Sequence, residues 1–139
     1  MTTAYFDANA FVKLVVEEDG SDLAATLWDA STEVISSLIA YPEVRAALAA
    51  AHRAGRIDDA QLDQVEDEWE VYWSSVRPVD LTDLLARVAA QECRAHGLGG
   101  ADGVHLASAL VAADAGVLVV TWDRRLSAGS RAAGLLVAP

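Results

Sequence analysis

Val117-Leu118-Val119-Val120-Thr121-Trp122-Asp123 is the stretch on which the fold turns. Its four apolar residues run unbroken between Gly116 and Thr121, with no polar alternation, which is the pattern of a strand covered on both faces. Working outward, Thr3 to Phe6 is a β-type run closed by Asp7, Glu33 to Ser36 reads as a second strand, Val79 to Leu81 as a third, and Leu135 to Val137 as a final edge strand. The segments between them have helical spacing. Phe11, Leu14 and Val15 form one stripe, and Ser21 or Asp22 caps a helix running through Trp28. Val44, Ala47, Leu48 and Ala51 mark a helix with Pro42 in its first turn and Gly55 past its end. A long polar helix starts at Asp58 or Asp59 and runs to about Ser75, with Pro78 as its stop. Thr82 caps a helix ending near His96 and Gly97, another spans about Ala101 to Ala113, and a last one follows Asp123. Strands alternating with helices imply right-handed crossovers. The expectation is an α/β chain: a single-domain α/β/α sandwich over residues 1–139 with a mostly parallel central sheet.

The composition narrows the function. With 53% hydrophobic residues there is enough apolar material for a core, and the lone Cys93 precludes an internal disulfide. The apolar stretch Ala115 to Val120, interrupted upstream by Asp114, is far short of a membrane span. No membrane association is expected, and with no visible secretion signal the expected compartment is cytoplasmic. The net charge is −11, from 10 basic and 21 acidic residues, and Lys13 is the only lysine. Such a chain is not built to hold nucleic acid by counterion release, which needs many basic contacts to phosphate. A nucleic-acid partner would be held locally, by a metal or a few arginines; the acidity equally suits solubility or a basic protein partner.

In a parallel sheet the ligand crevice lies beyond the carboxyl ends of the strands, where strand order reverses. Asp7 follows directly on a predicted strand, and Asp123 follows just after another. Either alone reads equally well as a helix N-cap. Asp102 lies on one helical face with His105, Leu106, Ala109 and Leu110, and a carboxylate on a buried stripe is costly unless paired or bound to a cation. Glu43 opens an apolar-striped helix and also fits as a first-turn acid. Taken together, Asp7, Glu43, Asp102 and Asp123 fit a site for Mg²⁺ or Mn²⁺, hard cations that take oxygen ligands and act on phosphodiesters. Asn9, Thr121 and Ser37 are placed to orient waters or ligands around it. Arg124 and Arg125 are the best phosphate contacts, with ordinary helix-surface charge as the other reading. His105 reads as a hydrogen-bonded core residue rather than a general base, and His52 and His96 as surface residues. Trp69, Tyr72 and Trp73 read as core or as a face for a partner rather than as RNA-stacking residues. Glu17, Glu18 and Asp19 read as a solvated turn.

The segments Tyr5-Phe6-Asp7-Ala8-Asn9, Glu43 in its helix, Gly100-Ala101-Asp102-Gly103-Val104-His105 and Val120-Thr121-Trp122-Asp123-Arg124-Arg125 together resemble the PIN-domain ribonucleases of the VapC toxin type. The resemblance covers nearly the whole chain. It implies a Mg²⁺- or Mn²⁺-dependent endoribonuclease, with Asp7, Glu43, Asp102 and Asp123 as the acidic catalytic and metal site. It also implies an RNA substrate, a homodimer, and inhibition by a cognate antitoxin protein; the helix from Trp69 to Trp73 is the expected dimer face. Gly103 departs from the pattern, where a larger residue is common, and is expected to loosen its helix by up to ~1 kcal/mol. Two other classes compete. Phosphoryl transfer on an aspartate, as in haloacid-dehalogenase-like or receiver proteins, needs a lysine near a later strand end, and Lys13 lies one helix after Asp7. A non-catalytic acidic module would keep the fold and grip a basic partner without cleaving anything.

Overall fold

The computed structural model describes residues 2–112 and 116–139. The expected helix end at Ala113, and Asp114 and Ala115 ahead of the apolar run, lie outside the described residues. In chain order the elements are β1 (Thr3–Phe6), α1 (Ala8–Val15), α2 (Ser21–Ala30), β2 (Glu33–Ser37), α3 (Ala40–Arg53), α4 (Asp59–Trp73), β3 (Val76–Val79), α5 (Asp83–His96), α6 (Gly100–Ala112), β4 (Leu118–Val120), α7 (Arg124–Ala132) and β5 (Leu136–Ala138). The five strands form one sheet in the order β3-β2-β1-β4-β5, and every pairing is parallel.

Alternation along the central strands divides the core. Ala4, Phe6, Val34 and Val120 face a cluster built with Phe11, Val44, Leu48 and Trp69 from α1, α3 and α4. Tyr5, Ile35 and Val119 face the opposite layer, where they meet Ala109 of α6. Leu106 of α6 and Leu126 of α7 pack with Leu98 in that second layer. The chain moves outward from β1 to β2 to β3, then returns to lay β4 on the free side of β1. Strand order therefore reverses between β1 and β4, and the crevice opens at their carboxyl ends. The residues that follow those strands are Asp7 and Asp123.

Local chemistry explains most boundaries. Asp7, Thr82 and Asp123 each accept a backbone N–H three residues on, and Asp58 forms a reciprocal capping box with Gln61. The sequence expectation differs at two places. Neither Ser21 nor Asp22 caps α2: the N-cap is Gly20 at φ +92°, and Ser21 is already helical, its hydroxyl donating to Val16 O. Glycine is required there because a Cβ would meet the Trp122 ring at 2.8 Å. Pro78 does not stop the long helix, which ends at Trp73; it lies inside β3, three residues earlier than the expected strand at Val79 to Leu81. β3 is an edge strand, and an edge position tolerates a residue with no N–H to donate.

Candidate active site

Asp7, Ala8, Asn9, Glu43, Asp102, His105 and Asp123 line one small cavity of about 60 Å³ at the sheet's carboxyl edge. All four acids singled out in the sequence are thus brought together, from the β1–α1 junction, the first turn of α3, the first turn of α6 and the β4–α7 junction. A larger, mostly apolar groove of about 750 Å³ lies elsewhere, between Leu38, Tyr41, Trp73 and Leu81.

Asp7 is the most constrained acid. It is buried, its Oδ1 accepts from Ala10 N at 2.9 Å, and its Oδ2 accepts from the Thr121 hydroxyl. Burial pushes its carboxyl above the usual range, against the pull of the Thr121 and Ala10 hydrogen bonds and the His105 charge, while the neighbouring Asp123 charge pushes it further up. Asp123 caps α7 by accepting from Leu126 N at 2.8 Å, and its own N–H donates to Thr121 Oγ1 at 3.0 Å. One threonine thus ties the two strand-end acids together. Both N-cap readings hold, and both residues face the cavity as well.

Asp102 is half-buried at the cavity mouth, not sunk in the stripe that its spacing with Leu106 implied. Partial burial raises its carboxyl first, and the negative charges of Asp123 and Glu43 add to that, opposed by His105 and Arg125. Glu43 is half-exposed, and its Oε1 lies 2.6 Å from His105 Nε2. His105 is the buried, hydrogen-bonded histidine expected, with Tyr5 OH 2.7 Å from its Nδ1.

The other assignments divide. Thr121 orients Asp7 as expected, and Asn9 is exposed on the cavity wall. The Ser37 hydroxyl does not reach the cavity; it is buried and accepts from Ile39 N, while Ser37 N donates to Tyr5 OH at 3.0 Å. Arg124 and Arg125 are exposed in the first turn of α7 and make no ion pair among the described residues. His52 is at the surface, its side chain a third exposed and 2.6 Å from the open Asp59, whereas His96 is more buried than expected, 3.1 Å from Glu92. Trp69 is fully buried and touches the rings of Phe11, Tyr41 and Trp73, so it is unavailable to a partner. Lys13 donates to Glu18 and to the Asp19 carbonyl and sits 5.0 Å from the Trp122 ring, which takes it out of the phosphoryl-transfer role. Tyr5 is the participant that sequence reading missed. Its signal was a polar aromatic in a buried strand, where a phenol needs a partner.

Among the described residues, no three His, Cys, Asp or Glu side chains stand close enough to enclose an ion by themselves. Part of each donor set is spent on the protein: Asp7 and Asp123 on caps, Glu43 on His105. The residues nevertheless fit a hard divalent cation that retains several waters, since the donors are carboxylate oxygens and an amide. Burial, and after it the neighbouring acids, raises the carboxyls of Asp7 and Asp102, and positive charge in the cavity would offset both.

Residues 4–131 match the family model described as PIN domain. Along all 139 residues the chain is 52% identical to Ribonuclease VapC45 and to Ribonuclease VapC49 of Mycobacterium tuberculosis, covering 96% of each. Among solved structures it is similar to FitAcB from Neisseria gonorrhoeae, with a TM-score of 0.74, 19% identity, and coverage of 98% of this chain and 96% of that one. It is also similar to a toxin-antitoxin complex from Klebsiella pneumoniae, at TM-score 0.65, 18% identity and the same coverages. At those identities the structural likeness speaks for the fold alone.

Proposed function

Because the chain belongs to the PIN-domain family, we propose that it is a Mg²⁺- or Mn²⁺-dependent endoribonuclease, the toxin of a toxin–antitoxin pair. The observation that carries this reading is the gathering of Asp7, Glu43, Asp102 and Asp123 from four separate elements into one cavity at the strand-order reversal. The ribonuclease names of its 52%-identical relatives supply the substrate class.

Asp7, Glu43, Asp102 and Asp123 would hold the ion. When bound, it supplies positive charge beside a phosphodiester and a more acidic water to attack it. The chain's own residues do the rest. The Ala10 N–H and the Thr121 hydroxyl aim the Asp7 carboxylate, and the Leu126 N–H aims Asp123. Asn9 offers an amide for a water on the open wall. Arg124 and Arg125 offer guanidinium groups to the RNA backbone at the cavity's edge, as the nearest cationic side chains on α7. On a chain of net charge −11, local contacts of this kind replace a broad basic surface.

The partners proposed are an RNA substrate, a second copy of the chain, and a cognate antitoxin that brings a basic segment to the acidic crevice. The test is a gel assay of total RNA with Mn²⁺, using wild type, Asp7→Asn and Asp123→Asn. Cleavage by wild type that both variants lose is the expected result. Equal cleavage by all three would sink the site, and a wild type that binds no Mn²⁺ in a calorimetric titration run beside the gel would turn the reading to the acidic binding module.

A further inference from the structure

Glu43 is held differently from the two strand-end acids. Asp7 and Asp123 are locked by backbone N–H groups of the helices they cap, a geometry that short side chains reach without help. Glu43 has a longer, more freely rotating side chain, and the hydrogen bond it makes is to His105 Nε2 at 2.6 Å. His105 is itself 3% exposed, and its other nitrogen meets Tyr5 OH at 2.7 Å. Tyr5 OH in turn accepts from Ser37 N at 3.0 Å, and the Ser36 and Ser108 hydroxyls lie beside it. An unbroken line of hydrogen bonds thus runs from the backbone of β2, through a side chain of β1 and one of α6, to the carboxylate on α3.

The line has a direction. The Glu43 carboxylate can only accept, so its 2.6 Å contact puts a proton on His105 Nε2, and Nδ1 is left to accept from the Tyr5 hydroxyl. His105 thus offers Glu43 a fixed donor.

Resting on the metal reading above, we propose that His105 is a positioning residue that aims the Glu43 carboxylate into the cavity, and that the Tyr5 hydroxyl aims His105. The test uses Mn²⁺ alone, titrated calorimetrically into folded, full-length protein below every variant's melting transition. His105→Ala should weaken Mn²⁺ binding by roughly ten- to a hundred-fold, as loss of a partner behind a ligand does. Tyr5→Phe, which removes one hydroxyl, should weaken it by about three- to ten-fold. His105→Gln keeps an N–H donor and should recover part of the affinity that His105→Ala loses.

A merely structural pair would lower the melting temperature of the metal-free protein and leave the Mn²⁺ affinity of the folded protein unchanged. Wild-type affinity in both His105→Ala and Tyr5→Phe overturns the proposal. So does equal impairment of His105→Gln and His105→Ala, since ring packing would then matter and not the donor. If His105→Ala does not fold, Tyr5→Phe and His105→Gln decide the matter between them. A wild type that binds no Mn²⁺ shows instead that the metal reading itself has failed.

Discussion

Asp7 shows how the chemistry of one residue opposes the stability of the fold. Its carboxyl is raised mainly by burial, so the native state holds its proton more tightly than the unfolded chain does. For an acid raised in this way, stability falls as pH climbs from the unfolded value of about 4 through the folded one. The metal-free protein is therefore expected to gain melting temperature in Asp7→Asn at neutral pH, and the gain should shrink as pH falls toward about 4. Paired melts of wild type and variant across that range check the sign; a gain that grows on acidification would contradict it. Asn keeps an oxygen for the Ala10 N–H, so the cap survives the change. The same acids that strain the metal-free fold are the ones placed to hold a cation, and Asp102 repeats the pattern with partial burial and two acidic neighbours.

At the scale of elements, Gly103 reverses the expectation drawn from helix propensity. Replacing an interior helical glycine by alanine ordinarily gains up to ~1 kcal/mol. Here α6 lies so close on α5 that a Cβ at Gly103 would stand 2.3 Å from Cys93 Sγ and 2.9 Å from the Ala89 carbonyl oxygen. The thiol can turn away, but the carbonyl belongs to the backbone of α5. Gly103→Ala should therefore destabilise by about 1–3 kcal/mol, the usual cost of overpacking, readable by urea unfolding. Because Asp102 precedes this residue and His105 follows it on the same helix, the spread should also weaken Mn²⁺ binding. A variant as stable as wild type would mean that the two helices separate freely. Gly103 thus permits the close contact between α5 and α6.

The whole molecule is acidic, and four of its 21 acids meet at one cavity, with no lysine or arginine ion-paired to Asp7, Asp102 or Asp123 among the described residues. A cation that binds only the folded state stabilises it by mass action, about 2.7 kcal/mol at a hundred times its dissociation constant. Mn²⁺ should therefore raise the melting temperature of wild type and leave Asp123→Asn nearly unmoved, as differential scanning fluorimetry would read. An equal rise in both proteins would place the ion elsewhere on the surface. Among the described residues no helix is long and apolar enough to cross a membrane, in line with the short apolar runs of the sequence.

Sequence alone determined most of the elements and which acids meet at the cavity. Apolar periodicity is a local property, and capping needs only a neighbouring N–H, so the strand at Thr3–Phe6, the strand within Val117–Val120 and the caps at Asp7, Thr82 and Asp123 were legible, while the start of α4 was narrowed to Asp58 or Asp59. The parallel order could be anticipated because alternating strands and helices leave few other topologies. Tertiary structure decided what depends on residues far apart in the chain. Pro78 could sit in a strand only because that strand is at the edge, and Gly20 is held to glycine by its φ of +92° and by Trp122, which returns to lie against it. Ser37 was drawn out of the site by Ile39 and Tyr5, and Asp102 came to the cavity mouth and not the core. The link from Tyr5 through His105 to Glu43 spans 100 residues in one step and 62 in the next, and no local pattern encodes a contact that only the packing of α6 against the sheet and α3 creates.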